Sequence, residues 1–308
     1  MKAAIILGST GLIGRALARF LNLSGVETLC VGRRTLSKSE VDDCFGFPAT
    51  YIRCPLETIE DLPGIISELS ASTYRASVLY NVAWNGVPRL TEGGLELQLA
   101  NVTYAANVIR AASQVGCKKV ISTGSTEETR AEYAMQTGEA FDSLQFHYTI
   151  AKLAARDMSM LISYLEKIDY VHTRLSIALQ PDLRGDGFVA TNLRKIILGE
   201  PFQSPNNQNK VDITSTEDIA RALFLIGVRG RNKANYFVGT GIPTTLPVYF
   251  KEFAEFVKNG HLQSEKIISE ARDMIYDISE VYRDTGFLPA SDRFETFLKR
   301  SHLHRREL

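Results

Sequence analysis

The chain has 308 residues, 44% of them hydrophobic, so it is long enough to bury a large core. Its 35 basic residues equal its 35 acidic residues, which gives no charge-based reason to expect nucleic acid or an anionic membrane as a partner. No apolar run approaches the ~20 residues of a membrane span, so we expect a soluble, cytoplasmic protein. Neither zinc nor a disulfide framework is expected, because the cysteines lack the required spacing: Cys30, Cys44, Cys54 and Cys117.

Short β-rich runs alternate with helical patterns through the first two thirds of the chain. Strands are predicted at 2–7, 27–31, 77–82, 119–123 and 170–175. Helices are predicted at 14–22, 59–69, 95–115 and 148–166. This alternation is typical of an α/β fold with a doubly wound parallel sheet. Ligands bind such sheets at the carboxyl ends of the strands, which is where Gly8, Arg33, Ala83 and Thr123 fall.

The character of the sequence changes after Gln180. A loop is predicted at 181–187, a helix at 188–198 and an irregular segment rich in Pro, Asn and Gln at 201–209. We therefore expect a cofactor-binding domain with the catalytic residues at 1–180 and a smaller substrate-binding lobe at 181–308. Some of the later chain should return to the main domain, because no clean linker marks the boundary.

A glycine turn follows the first predicted strand. Its glycines form GxxGxxG between the apolar run AAIIL and the helical segment RALARFL. In a dinucleotide site the three glycines allow a tight turn, close approach of the pyrophosphate and close packing of helix on strand. The pyrophosphate then lies on backbone N–H groups at the start of the helix. The whole turn is predicted to bind the cofactor: Gly8, Ser9, Thr10, Gly11, Leu12, Ile13 and Gly14.

The end of the second strand, TLCVGRR, indicates which cofactor is used. An NAD site typically has Asp or Glu there for the ribose 2′-hydroxyl, but this chain has Gly32, Arg33 and Arg34. Guanidinium groups suit the 2′-phosphate of NADP, so NADP (as NADPH) is expected, with NAD as the alternative. The competing interpretation is a solvated basic turn. Arg15 is a further candidate cationic contact.

The segment HYTIAK places Tyr148 and Lys152 four residues apart, and therefore on one face of a helix. An ammonium group beside the phenol would favour the phenolate form. A phenol so tuned can pass a proton to or from a carbinol near neutral pH. The pair alone is equally compatible with an exposed aromatic residue and a solvated lysine.

With Thr123, these motifs make the chain resemble the extended short-chain dehydrogenase/reductase family, in its nucleotide-sugar epimerase, dehydratase and reductase branch. Further landmarks along nearly the whole chain are NVAWNG, ANVTYAANVI, ISTGSTEE, RLSIALQP, GEPF, VDITSTEDIARAL and YFVGTG. The resemblance implies a Rossmann-type doubly wound sheet with a smaller C-terminal lobe. It also implies a homodimer formed through helices 95–115 and 148–166, whose small residues permit close packing: Ala105, Ala106, Ala151 and Ala155.

The resemblance also implies roles for individual residues. Tyr148 would be the acid/base, Lys152 would hold the nicotinamide ribose and lower the tyrosine pKa, and Thr123 would hydrogen-bond the reacting sugar oxygen. Asn101 would brace the active-site helices. The further cofactor contacts implied are Leu56, Ala83, Asn101, Leu175 and Ser176. The substrate-facing residues implied are Trp84, Asn85, Ser125 and Phe202, although Trp84 and Phe202 are equally expected as aromatics that pack the lobe.

One departure from the branch narrows the activity. Its dehydratases carry an acidic pair directly after the catalytic Ser or Thr, whereas Gly124 and Ser125 follow Thr123 here, so dehydration is not expected. Glu127 and Glu128 come too late for that role and are interpreted as part of a solvated loop.

The leading hypothesis is an NADPH-dependent reductase of a 4-keto-6-deoxy nucleotide sugar, with hydride transfer to C4 and Tyr148 as proton donor. The alternative is a nucleotide-sugar 4-epimerase that retains NAD(P) and uses the same catalytic residues. A third hypothesis is a non-catalytic NADP-binding sensor, since this fold also serves without chemistry. The predicted partner is a nucleotide-sugar substrate, with no metal, nucleic acid or membrane involved.

Overall fold

The computed structural model describes residues 1–69, 72–86, 94–138, 146–185, 187–205, 209–259, 274–290 and 294–297. The strands are β1 Ala3–Leu7, β2 Glu27–Gly32, β3 Thr50–Arg53, β4 Val78–Asn81, β5 Lys119–Ser125, β6 Asp169–Leu175, β7 Ile177–Leu179, β8 Lys210–Val211, β9 Ile213–Ser215, β10 Asn235–Val238 and β11 Thr244–Thr245. The α-helices are α1 Leu12–Leu23, α2 Lys38–Phe45, α3 Leu62–Glu68, α4 Leu95–Val115, α5 Glu127–Thr137, α6 Phe146–Glu166, α7 Phe188–Leu198, α8 Thr216–Arg229, α9 Leu246–Asn259 and α10 Ser279–Thr285.

Seven of these strands form one parallel sheet, in the order β10-β6-β5-β4-β1-β2-β3. From β1 the chain winds outward through β2 and β3, and from β4 it winds outward on the other side. The strand order therefore reverses between β1 and β4, where doubly wound sheets form their ligand-binding crevice. This confirms the predicted Rossmann-type α/β fold.

Two helical layers cover the two faces of the sheet. Neighbouring residues of β1 point into opposite cores: Ile5 packs in the cluster that contains Ile109 of α4, and Ile6 in the one that contains Leu17 of α1. Every residue of β1 is buried, which explains its unbroken apolar sequence. The central strands are thus fixed on both sides, and their carboxyl ends form a rigid platform for a site.

A third apolar cluster lies outside the main sheet. It contains residues of α7 and α9, together with Leu179, Leu183 and Phe294. Two small two-stranded sheets accompany it, β7 with β9 and β8 with β11. However, β10 joins the main sheet beside β6, and Phe224 of α8 packs against Phe20 of α1. Chain beyond residue 180 therefore contributes to both parts of the molecule, while the boundary at residue 180 itself stays a prediction.

The structure contains elements that the sequence patterns did not indicate. No element was predicted between residues 31 and 59, where α2 and β3 lie. β3 is a four-residue edge strand without buried residues, and α2 buries only Val41 and Phe45, so both patterns are weak. α1 begins at Leu12, two residues before the predicted start, because Gly11 is its N-cap.

Within the described residues, no helix has both the length and the apolar content needed to cross a membrane. The same residues contain no group of three or more His, Cys, Asp and Glu side chains arranged to hold a metal ion. All four cysteines are free thiols, and Cys30, Cys54 and Cys117 are buried.

Candidate active site

The glycine turn joins β1 to α1 at the crevice. Gly8 has a φ of +79°, a conformation that favours glycine, and a Cβ there would lie 2.9 Å from the backbone of Ala83. A Cβ at Gly14 would lie 2.3 Å from the Gly8 carbonyl oxygen and 2.6 Å from the Cα of Ser9. The first and third glycines therefore allow the close approach of turn, strand and helix that the motif predicts.

The start of α1 has the features of a phosphate-binding helix end. Its N-cap, Gly11, provides no side-chain cap, and its first turn carries no acidic residue. Gly11 and Leu12 are exposed, so this end of the helix faces solvent. The Ser9 hydroxyl, in contrast, is buried and donates to the Val31 carbonyl oxygen at 3.0 Å. These residues fit a dinucleotide pyrophosphate, which would be bound by backbone N–H groups at the positive end of the helix.

At the end of β2, a tyrosine lies beside the glycine that replaces the usual carboxylate. A Cβ at Gly32 would lie 2.7 Å from the Tyr51 hydroxyl oxygen. That hydroxyl donates to the Arg34 carbonyl oxygen at 2.7 Å, so β3 also anchors the arginine turn. Arg33 and Arg34 are both exposed. The guanidinium of Arg15 donates to the Gln180 side-chain oxygen at 3.2 Å.

The loop after β4 is held by α4. Asn101 accepts from the Asn85 N–H at 3.0 Å and donates to the Asn85 carbonyl at 2.9 Å. This reciprocal clamp fixes the loop, while the expected role of Asn101 in bracing the active-site helices stays a prediction. The Asn85 side chain, predicted to face the substrate, instead donates to Glu57 at 2.8 Å.

Trp84, in the loop after β4, contacts both members of the predicted catalytic pair. Its indole N–H donates to the buried Gln98 of α4 at 3.1 Å. The ring meets that of Tyr148 edge to face, with 5.9 Å between centroids, and the Lys152 Nζ lies 3.8 Å above the indole face. Trp84 is thus a fixed aromatic wall of the catalytic pair, and Gln98 is a supporting residue that the sequence did not indicate.

Tyr148 and Lys152 lie on α6, as predicted, with Thr123 at the carboxyl end of β5. The Lys152 Nζ donates to the Thr123 carbonyl oxygen at 3.0 Å and lies 5.7 Å from the centroid of the Tyr148 ring. The Thr123 hydroxyl donates to the Asn81 carbonyl at 3.3 Å, a long bond that is easily exchanged. Thr123, Tyr148 and Lys152 therefore form one connected cluster.

Burial dominates the electrostatics of this cluster. It lowers the pKa of the Lys152 ammonium to about 8, although the Glu128 carboxylate opposes that shift. Burial also raises the pKa of the Tyr148 phenol above its ordinary value; Glu128 adds to this rise, and a hydrogen bond with Ser125 opposes it. The expected lowering of the tyrosine pKa by Lys152 is therefore not seen: burial and the nearby carboxylates raise the pKa, and only the hydrogen bond with Ser125 lowers it.

Glu128 was interpreted as part of a solvated loop, and that interpretation is wrong. It lies in the first turn of α5 and is fully buried. Its carboxylate accepts from the Ser125 backbone N–H at 2.9 Å and from Arg174 Nε at 3.2 Å, and it pairs with His172 Nε2 at 2.8 Å. The spacing of Ser125 and Glu128, Ser-x-x-Glu, is that of a capping box and could have indicated a helix start here.

The remaining predicted residues lie around this cluster. Leu175 ends β6 beside Ser125, and the buried hydroxyl of the next residue, Ser176, has no hydrogen-bond partner among the described residues. Leu56 is buried in the core beneath the sheet. Phe202, predicted to face the substrate, packs edge to face on Phe250 and lines a surface cavity of about 390 Å³ along α9. The described contacts do not join it to the catalytic cluster.

Known structures share this architecture. UDP-glucose 4-epimerase from Thermotoga maritima has a TM-score of 0.73 and 16% identity, over 99% of this chain and 100% of that one. UDP-N-acetylglucosamine 4-epimerase from Methanobrevibacter ruminantium, in complex with UDP-N-acetylmuramic acid, has a TM-score of 0.74 and 18% identity, over 100% and 99%. UDP-glucose 4-epimerase from Thermus thermophilus, in complex with NAD, has a TM-score of 0.70 and 16% identity, over 97% and 99%.

These identities are low, so the structural similarity establishes the fold rather than the reaction. A search of curated protein sequences finds no significant match. The profile of one family, in contrast, matches residues 4–239, which include the glycine turn, Thr123, Tyr148 and Lys152. The chain therefore belongs to the NAD dependent epimerase/dehydratase family, and with it to the NAD(P)-dependent enzymes of the extended short-chain dehydrogenase/reductase type.

Proposed function

We propose that this protein is an NADPH-dependent reductase of a 4-keto-6-deoxy nucleotide sugar. The observation that carries the proposal is the end of β2. There a side chain at residue 32 would have to displace the Tyr51 hydroxyl, while Arg33 and Arg34 are exposed. Two guanidinium groups directly after a strand end that itself carries no acidic residue suit the 2′-phosphate of NADP. A dissociable reductant fits net reduction better than a cycle that returns its cofactor unchanged.

The catalytic cluster suits the proton transfer of this reaction. NADPH, when bound, supplies a hydride to C4 of the keto sugar. The raised pKa of Tyr148 keeps its Oη protonated at neutral pH, so the phenol can donate its proton to the oxygen on which negative charge develops. The Thr123 hydroxyl can exchange its long bond to Asn81 for the same oxygen and help to stabilise that charge.

The space around residue 124 argues against dehydration. A Cβ at Gly124 would lie 2.1 Å from Glu128 Oε1 and 2.4 Å from His172 Nε2. A catalytic aspartate could therefore replace Gly124 only if the buried pair moved. Glu128 cannot serve as the acid instead, because it is fully buried and holds its proton weakly. Burial by itself raises the pKa of this carboxyl, but His172, Arg174 and Lys152 outweigh burial and lower the pKa to about 2.

A panel of 4-keto-6-deoxy nucleotide sugars incubated with NADPH tests the proposed reaction. We expect one NADPH to be oxidised for each 4-hydroxy product formed, as measured by absorbance and by mass spectrometry of the sugar nucleotide. Conversion of a 4-hydroxy sugar nucleotide to its epimer without net NADPH oxidation would contradict the proposal.

The cofactor assignment is tested separately with Arg33→Ala combined with Arg34→Ala. We expect NADPH to bind about tenfold to a hundredfold more weakly, since charge-assisted hydrogen bonds to phosphate are lost, with little change for NADH. Arg110→Ala, which removes an exposed arginine from α4, is the matched control and should leave both affinities unchanged. Equal weakening of NADPH and NADH would refute the 2′-phosphate contact.

The alternative function is a nucleotide-sugar 4-epimerase that retains NAD(P). What favours it is the similarity to 4-epimerases from three organisms, and it needs the same three catalytic residues. The two functions differ in how firmly the cofactor is held. A reductase should purify largely free of cofactor, whereas acid denaturation of a cofactor-retaining epimerase releases close to one NAD(P) per chain.

We also propose a homodimer formed through α4 and α6, but not through the alanines expected there. Ala105, Ala106, Ala151 and Ala155 are already buried within the protomer. What supports this surface is a set of exposed apolar side chains on the same helices: Leu95, Leu99, Met158, Leu161 and Leu165.

Light scattering of Leu161→Glu tests the dimer. We expect this variant to be monomeric while the unaltered protein is dimeric, because a charge in an apolar interface lacks a partner. Leu198→Glu on α7 is the matched control, since both leucines are 54% exposed. A monomeric unaltered protein would contradict the proposed dimer.

A further inference from the structure

Lys152 and Glu128 approach the same peptide unit from opposite elements. The Lys152 Nζ donates to the carbonyl of Thr123 at 3.0 Å. A Cβ on the next residue, Gly124, would lie 2.1 Å from Glu128 Oε1. An ammonium on α6 and a carboxylate on α5 therefore flank the Thr123–Gly124 peptide at the end of β5, and both groups are buried.

Glu128 is held in place by hydrogen bonds from two elements. Its Oε1 accepts from the Ser125 N–H, while its Oε2 accepts from Arg174 Nε and pairs with His172 Nε2, both on β6. Arg174 also forms a salt bridge with Glu132 at 2.8 Å, and Glu132 forms a second one with Arg156 of α6 at 2.6 Å. A chain of charged groups thus fixes the carboxylate and ties α5 and β6 to the helix that carries Tyr148 and Lys152.

We propose that Glu128 is a positioning residue whose buried carboxylate acts as the counter-ion of Lys152 and keeps that lysine charged beside Tyr148 and Trp84. A buried ammonium without a nearby negative charge readily loses its proton. Glu128 does not contact the phenol as an acid or base in this role. It acts on the catalytic pair through its fixed charge.

The charges around Lys152 favour this assignment. Burial lowers the pKa of Lys152 to about 8, and the Glu128 carboxylate opposes that effect. α4 contributes the neutral amides of Gln98 and Asn101 behind the Trp84 loop. The titratable and charged groups on the elements that surround Lys152 include Tyr148, Arg156 and Asp157 on α6, Glu127, Glu128, Arg130 and Glu132 on α5, Tyr170, His172 and Arg174 on β6, Lys119 on β5, and Glu96, Tyr104 and Arg110 on α4.

The chain contains its own reporter of the Lys152 charge. Trp84 is its one tryptophan, and the Lys152 Nζ lies 3.8 Å above the indole face. Loss of that charge should change the fluorescence of Trp84, so a pH titration of emission measures the protonation of Lys152 without substrate or cofactor. We expect a midpoint near pH 8, and we expect Lys152→Met to abolish the transition.

Glu128→Gln is the decisive variant. With the negative charge removed, we expect the fluorescence midpoint to move by about one pH unit towards acid, because an opposite charge no longer favours the ammonium. Glu128→Asp retains the charge and should restore most of the original midpoint. Glu132→Gln is the matched control: it removes a carboxylate that also pairs with Arg174, but Glu128 is the carboxylate that favours the Lys152 ammonium, so we expect the midpoint to stay in place.

Gly124→Ala provides a second, independent perturbation if Glu128→Gln does not fold. A methyl group at residue 124 would overlap Glu128 Oε1, so the carboxylate must move, and we expect a smaller shift in the same direction. An unchanged midpoint in the folded variant, or an equal shift in Glu132→Gln, would overturn the proposal. A structural role alone would lower stability without moving the midpoint.

The effect on turnover rests on the proposed reductase function. In Glu128→Gln we expect the alkaline limb of the kcat profile to move towards acid, with about tenfold less activity than the unaltered enzyme at pH 8.5 and a smaller difference at pH 6.5. The two assays fail separately. A fluorescence shift without reduction of any keto sugar would support the counter-ion role and reject the reductase. Reduction of a keto sugar with an unshifted fluorescence midpoint and an unshifted kcat profile would support the reductase and reject the counter-ion role.

Discussion

The two halves of the sheet's carboxyl edge are built by different physical means. At the ends of β1 and β2, the site depends on close approach: Gly14 against Gly8, and the Tyr51 hydroxyl against Gly32. At the ends of β5 and β6, it depends on buried charge, with Glu128 and Lys152 as the central groups. We therefore expect the cofactor half to be sensitive to side-chain volume but not to pH. The catalytic half should be sensitive to pH and to the removal of a single charged side chain.

The largest effect is expected at the proton donor of the catalytic half. Tyr148→Phe removes the phenol oxygen but keeps the ring that packs against Trp84, so turnover should fall by about 10²- to 10⁴-fold while NADPH affinity stays the same. Steady-state kinetics and cofactor titration measure the two quantities. If all cellular function survived this substitution, the non-catalytic sensor would be the better interpretation.

The second prediction concerns stability, because a buried ammonium is costly. Lys152 has a pKa of about 8 in the folded protein, against 10.5 ordinarily. Lys152 therefore binds its proton less tightly in the folded protein than in the unfolded chain. The resulting destabilisation is complete below pH 8 and is lost as the pH rises from 8 through 10.5. Lys152→Met should raise the free energy of unfolding at pH 7 by at most about 3 kcal/mol, less the lost hydrogen bond to Thr123.

Urea unfolding at several pH values checks this prediction. The gain should shrink between pH 8 and pH 10.5, and turnover should be lost although the protein is more stable. Lys38→Met on the exposed surface of α2 is the control and should show no such pH dependence. A destabilised Lys152→Met at pH 7 would show that the contacts of the lysine outweigh the cost of burying its charge.

The third prediction tests the cofactor half. Gly14→Ala places a methyl group 2.3 Å from the Gly8 carbonyl oxygen, and backbone must shift to accommodate it. We expect a loss of about 1–3 kcal/mol in stability together with weaker binding of both NADPH and NADH. Gly64→Ala, in open space on α3, is the matched control. If Gly14→Ala mainly shifted the pH profile instead, the contrast between the two halves would be wrong.

The same contrast explains what could be predicted from the sequence. The glycine turn, the parallel sheet and the Tyr148–Lys152 pair follow from local spacing, since neighbours along the chain create them. The Glu128–His172 pair joins residues 44 positions apart, and the local sequence around either residue does not indicate that its side chain is buried. Phe202 and Asn85 fall between these cases, because a loop position does not determine the direction of its side chain.

The smallest effect is expected at the cap of α2, next to the arginine turn. The Ser37 Oγ accepts from the Glu40 N–H at 3.4 Å, and the Glu40 carboxylate accepts from the Ser37 N–H at 2.7 Å, which together form a capping box. Ser37→Ala should cost about 1 kcal/mol of stability. Thr35→Ala, which removes an exposed hydroxyl beside the arginine turn and leaves the cap in place, is the control. Because Tyr51 holds the Arg34 carbonyl independently of this cap, the preference for NADPH over NADH should not change. A changed preference would mean that α2, rather than β3, positions the two arginines.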